Sequence, residues 1–253
     1  MKSEIREINC TMKQCLLVLN LTIINVFYCY SAPPFLTDDS EPVDFQHIEF
    51  YFASQSSIFN GSGNGTLPHF EINYGIIENV HFNFVIPIAY NYDRQNFNYG
   101  FSDLGFGIKY RFMEESNTSP QFCFYPFISF PTGNYENGLG NEKIQIYLPL
   151  WIQKSWNDWT TYGGAGYWIN PGKGNNNWIF TGWLLQKQFS EVLTFGCELY
   201  YHSSNTVIDN ESFCFNIGGF INLSPKSNII FSFGHTFYGQ NTSTVYLGYL
   251  LSL

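Results

Sequence analysis

The chain has 253 residues, enough for one or two domains with a sizeable core. Charged residues make up only 12% and aromatics 20%, led by 26 Phe and 18 Tyr. A water-facing surface with so few charges would be poorly wetted, whereas a surface meeting hydrocarbon would not need them. The net charge of −9 sets the chain against phosphate backbones and excludes nucleic acid as a partner.

In chain order, the first signal is a leader. Lys2, Arg6 and Lys13 precede an apolar run from Cys15 to Tyr30, then come Ser31, Ala32, Pro33 and Pro34. Basic residues, a short apolar run and small residues before a turn describe a secretory signal peptide. The run is interrupted by Asn20, Thr22 and Asn25 and is shorter than the ~20 residues that cross a bilayer as a helix, although an anchor helix is the competing reading. Cleavage is expected after Ser31, with Met12 an alternative start, so residues 1–31 are leader, 32–46 an N-terminal periplasmic segment and 47–253 the folded body. Cys123, Cys197 and Cys214 then remain, which is neither a disulfide framework nor a zinc spacing, and no residue set calls for a metal or cofactor.

From residue 47 the sequence alternates with period two. In HFNFVIPIAYNY, Phe82, Phe84, Ile86, Ile88 and Tyr90 form an apolar face, while His81, Asn83, Val85, Pro87, Ala89 and Asn91 form a mixed one. That is the mark of a β-strand with two unlike sides. Similar stretches begin near residues 47, 67, 101, 121, 142, 159, 177, 192, 212, 228 and 243, giving about twelve strands. Those near 159 and 177 have mixed faces, so ten strands is the alternative. Connections after odd strands are longer and rich in Gly and Asn (NGSGNGT, DRQNFNYG, TGNYENGLGNE, PGKGNNN, SNTVIDNE). Those after even strands are mostly tight, with EESNTSP the exception. This is an up-and-down meander.

A soluble sandwich would need Lys, Glu and Arg on its outer faces, and only 8 Lys and Arg follow residue 31. Turned inside out, the pattern is an all-β transmembrane up-and-down antiparallel barrel whose apolar faces meet outer-membrane lipid and whose lumen is polar. Trp and Tyr near strand ends suit aromatic girdles. The terminal run from Tyr246 to Leu253 is similar to the C-terminal signal read by the barrel assembly machinery, with Leu253 where Phe is usual.

The mature start APPFLTDDSEPVDFQHIEFYFASQ (32–55), with FPTGN (130–134), GCELYYHSSNTV (196–207) and FNIGGFINLSP (215–225), resembles a bacterial family named for the meta-pathway of phenol degradation. Ser40 replaces a usual Pro. The resemblance implies an outer-membrane transporter barrel and carries fold and location further than substrate.

The polar faces supply the candidate lumen residues Glu49, Glu71, Asp103, Lys109, Arg111, Lys143, Glu198 and His202, which either line a solute path or pair and fill the interior. Asp38 and Asp39 head an acidic N-terminal segment that binds a cation, plugs the mouth or is a solvated tail. His202 and Ser204 are similar to the motif of lipid A deacylases, yet their strand phase points them to the lumen, away from lipid. Gly163, Gly164 and Gly166 lie within a strand and lack the strand-to-helix setting of a phosphate loop. The expected function is a non-enzymatic channel for small hydrophobic or aromatic solutes, gated by the N-terminal segment or inward loops. The alternatives are a structural or surface-interaction barrel with a closed lumen and, third, a lipid hydrolase.

Overall fold

The computed structural model describes residues 33–253; the expected leader, 1–31, lies outside them. The strands are β1 (Ile48–Phe59), β2 (Ser62–Ile77), β3 (Val80–Tyr92), β4 (Phe97–Phe101), β5 (Leu104–Met113), β6 (Gln121–Phe124), β7 (Phe127–Phe130), β8 (Gln145–Trp156), β9 (Trp159–Ile169), β10 (Trp178–Gln188), β11 (Leu193–His202), β12 (Ser212–Ser224), β13 (Ser227–Tyr238) and β14 (Ser243–Ser252). Segments β4 and β5 form one stave, since both pair with β3, and β6 and β7 form another, since both pair with β5 and β8. The 14 segments are therefore twelve antiparallel staves. β1 pairs with β14, so the sheet closes on itself and has no free edge. Closure is what lets a sheet sit in lipid, where an unpaired N–H or C=O would find no water.

The faces sort as the alternation requires. On β3, His81, Asn83, Val85 and Ala89 are buried inside, while Phe84 and Ile86 point outward and are exposed. The same outward face carries Trp183 on β10, Leu199 on β11 and Leu247 and Tyr249 on β14. The interior holds polar groups (Asn64, Glu71, Asn83, Gln153, Glu198, Asn216) together with an aromatic ladder. Rings of Tyr147 and Trp168 stack at 4.6 Å, those of Trp168 and Trp178 at 5.4 Å, and those of Phe180 and Tyr200 at 5.8 Å.

The mixed faces near residue 159 have a steric cause. On the luminal side a Cβ at Gly164 would meet the Trp151 ring at 2.7 Å, and one at Gly166 would overlap the Tyr147 ring. Neighbouring β8 supplies the side chains that these positions lack, so β9 has too few of its own to show a phase. Cys197 faces outward and Cys214 inward on adjacent strands, which rules out their pairing; both are free.

The loops depart from expectation at one end. NGSGNGT is largely strand and DRQNFNYG half strand: β1 and β2 are joined by Asn60-Gly61 alone, whose positive φ values of 48 and 80° suit a tight hairpin, and β3 and β4 by residues 93–96. The longer connections at this end are 131–144, 170–177 and 203–211. The opposite end has the turns 78–79, 157–158 and 225–226, and it is the end that faces the periplasm in barrels of this kind. Here β1 begins beside the chain's last residue, with Ile48 N donating to Leu253 O at 3.0 Å.

Candidate functional site

Residues 33–46 run up inside the barrel. At the short-turn end Phe45 bridges to Gly75, and Gln46 N donates to Gly75 O at 2.9 Å. Higher up, Val43 N donates to His81 Nδ1 at 2.9 Å, which puts the imidazole proton on Nε2. Gln153 clamps the next turn, accepting from Ser40 N at 3.0 Å and donating to Glu41 at 3.0 Å, while Gln121 donates to the same Glu41 oxygen at 3.1 Å. The segment then meets Lys109, whose Nζ lies 2.9 Å from Asp38 Oδ1 and 3.0 Å from Asp39 Oδ1. Above this the Glu198 carboxylate accepts from Leu36 N at 3.2 Å, from Thr37 N, and from Asn216 Nδ2 at 2.7 Å. Pro34 O accepts from Ser232 Oγ at 2.6 Å, about half-way along β13. Phe35, Thr37, Asp38 and Ser40 are all buried.

Two glycines make room for this path. A Cβ at Gly75 would overlap Asp44 O, and one at Gly182 would overlap Thr37 Oγ1. At these points the backbone or a short side chain of the segment lies directly on the wall.

The candidate residues therefore divide. Lys109, Glu198, Asp38 and Asp39 meet in the anchoring of the segment. Arg111 sits lower, donating to Asn79 Oδ1 at 2.8 Å and Gln121 Oε1 at 3.1 Å, and so braces the residue that holds Glu41. Glu49 is luminal and accepts from Tyr51 at 2.9 Å. Glu71 Oε1 accepts from Asn83 at 2.8 Å and Asn73 at 3.2 Å. Asp103 has another role: it accepts from Gly133 N at 2.9 Å and from Asn141 N at 2.7 Å, pinning the loop 131–144, whose Leu139 is buried. Lys143 lies in that loop, before β8 begins, and is exposed beside Glu142 at 3.7 Å, outside the luminal wall. Sequence reasoning missed Gln121, Gln153, Asn216 and Gly182. Each lies on the inward phase of its strand, and that phase was the available signal.

Above the segment a chamber, open at its mouth, occupies the side formed by β1, β2 and β10–β14. Pro33 to Leu36 form its floor, and Trp178, Phe180, Tyr200 and His202 one wall. His202 is thus luminal, its ring 6.2 Å from Trp178, while the Ser204 hydroxyl donates to Thr206 O.

A closed barrel with an apolar belt and a polar interior defines a β-barrel of the outer-membrane kind. Residues 59–252 match the family described as the MetA-pathway of phenol degradation, and the chain belongs to that family. In fold it is similar to an outer-membrane channel from Pseudomonas putida F1, with a TM-score of 0.66 and 14% identity over 85% of this chain and 98% of that one. It is also similar to the KdgM porin (TM-score 0.54, 10% identity, 80% of this chain and 99% of that one). A third likeness is to the translocator domain of the autotransporter NalP from Neisseria meningitidis (0.52, 9%, 83% and 88%). No curated protein matches the sequence.

Proposed function

We propose that this protein is a passive outer-membrane channel for small, weakly polar, hydrophobic or aromatic solutes, closed at rest by residues 33–46. The observation that carries the reading is the chamber: a cavity walled by Trp178, Phe180 and Tyr200 that ends on a segment held by a few polar anchors. An aromatic wall favours flat apolar solutes over hydrated ions. Beyond its bridge at Phe45 and Gln46, the segment is held mainly by side chains of the wall and can move while the wall stays paired. The family name and the likeness to channels and porins support the same class.

The mechanism follows from this geometry. Solute enters at the long-loop end, rests against the aromatic wall, and reaches the periplasmic side when the segment shifts off Lys109 and Glu198. No bond is made or broken, and we read the protein as no enzyme. The leader is removed after Ser31, which mass spectrometry of the outer-membrane form would show as an N-terminal Ala32.

Liposome swelling tests the reading. Purified mature protein should pass small neutral solutes such as benzyl alcohol glycosides faster than protein-free liposomes, and faster still when the segment is deleted. A folded protein that passes none, with or without residues 33–46, would leave the second reading, a structural barrel, which the occluded lumen itself favours.

A further inference from the structure

We propose that the chamber is a charge-selective binding site, taking aromatic or otherwise apolar amines and neutral alcohols and rejecting carboxylates. The proposal rests on the channel reading and deepens it. Among the residues lining the chamber are two carboxylates, Glu71 and Asp209, two imidazoles, His69 and His202, and no Lys or Arg. Among the described residues, the luminal Lys and Arg side chains are engaged elsewhere: Lys109 is neutralised by Asp38 and Asp39 under the floor, and Arg111 is held by Asn79 and Gln121 lower still.

The two acids are placed to receive a donor. Glu71 spends Oε1 on Asn73 and Asn83, while Oε2 has His69 Nε2 at 3.9 Å, beyond hydrogen-bond length. Asp209, in the connection 203–211, adds a second negative charge to the lining. A ligand ammonium is attracted by both carboxylates and can donate to Glu71 Oε2, and a hydroxyl can donate there without the charge. A carboxylate brings only acceptors and a like charge. Trp178, Phe180 and Tyr200 in the same lining offer ring faces to an apolar body and attract a nearby cation.

Three probes that share one phenylpropyl body separate the possibilities: 3-phenylpropylamine, 3-phenylpropanol and 3-phenylpropanoate. Their binding is measured by calorimetry on mature protein in lipid nanodiscs, with empty nanodiscs subtracted. The amine should bind at least about tenfold more tightly than the carboxylate, with the alcohol between them. Glu71→Gln with Asp209→Asn, which keep size and one acceptor, should bring the amine down to the alcohol, while Trp178→Ala should weaken all three. Carboxylate binding as tight as that of the amine, or an amine preference that survives the double substitution, overturns the proposal. Equal binding of the three beside normal solute flux overturns the charge preference and leaves the channel standing. Amine-selective binding with no flux for any solute keeps the site and overturns the channel.

Discussion

Lys109 on β5 and Asp38 in the N-terminal segment, 71 residues apart in the chain, meet inside the barrel with Nζ 2.9 Å from Oδ1, and both are buried. Asp39 adds a second carboxylate at 3.0 Å. Removing one partner of a buried pair leaves the other charge uncompensated, at about 3–5 kcal/mol when water cannot reach it. Lys109→Ala should therefore loosen the segment and raise its protease susceptibility and amide exchange. Asp38→Asn should do less, because Asp39 still faces the ammonium. Equal protection of residues 36–43 in wild type and Lys109→Ala would show that the pair does not anchor the segment.

Gly182 gives a route to the same state without touching a charge. A side chain there would occupy the place of Thr37 Oγ1, so Gly182→Val should lift the segment off β10. The wall should remain intact, since β10 keeps its ladders to β9 and β11. Exchange of the Leu36 and Thr37 amides, now bonded to Glu198, should quicken while β10 amides stay protected. Unchanged exchange at residues 36 and 37 would contradict the placement.

The fold was legible because each strand carries its own two-sided pattern; the docking was not. Asp38 and Asp39 read equally as a solvated tail, a cation site or a plug, since their partner Lys109 is brought to them by closure of the barrel and not by sequence spacing. The Gly/Asn runs resemble loops because turn residues dominate them. Yet only Asn60 and Gly61 of NGSGNGT take positive φ, and Asn64 turns into the lumen of β2. Continuing the β8 alternation back past Gln145 puts Lys143 on a strand, whereas Asp103 draws the loop 131–144 inward there. The lumen's aromatic half was hidden because Gly164 and Gly166 lend their space to rings of the neighbouring strand.

The outward face can be tested by one charge. Leu247 lies near the middle of β14 and is 57% exposed, a position where Arg would cost little in water. In lipid the cost is about 2–4 kcal/mol near the midplane. Leu247→Arg should lower folding stability in bilayers by that order. A stability equal to wild type for Leu247→Arg in lipid would count against a membrane-facing belt.

The inward loop should act separately from the segment. Asp103→Ala removes the acceptor for Gly133 N and Asn141 N, each hydrogen bond to a charged group being worth about 1.5–3 kcal/mol. A spin label at Asn137 should gain mobility in that variant and stay unchanged in Lys109→Ala. Coupled motion of the two would mean that loop and segment move as one unit.

The central claim, that residues 33–46 are the closure of a channel, is tested most directly by single-channel conductance in planar bilayers. Wild-type mature protein should show a small conductance. The variant lacking 33–46, confirmed as a folded barrel by its heat-modifiable migration, should show a conductance several-fold larger, with Gly182→Val in between. A folded deletion variant that conducts no more than wild type would contradict the account.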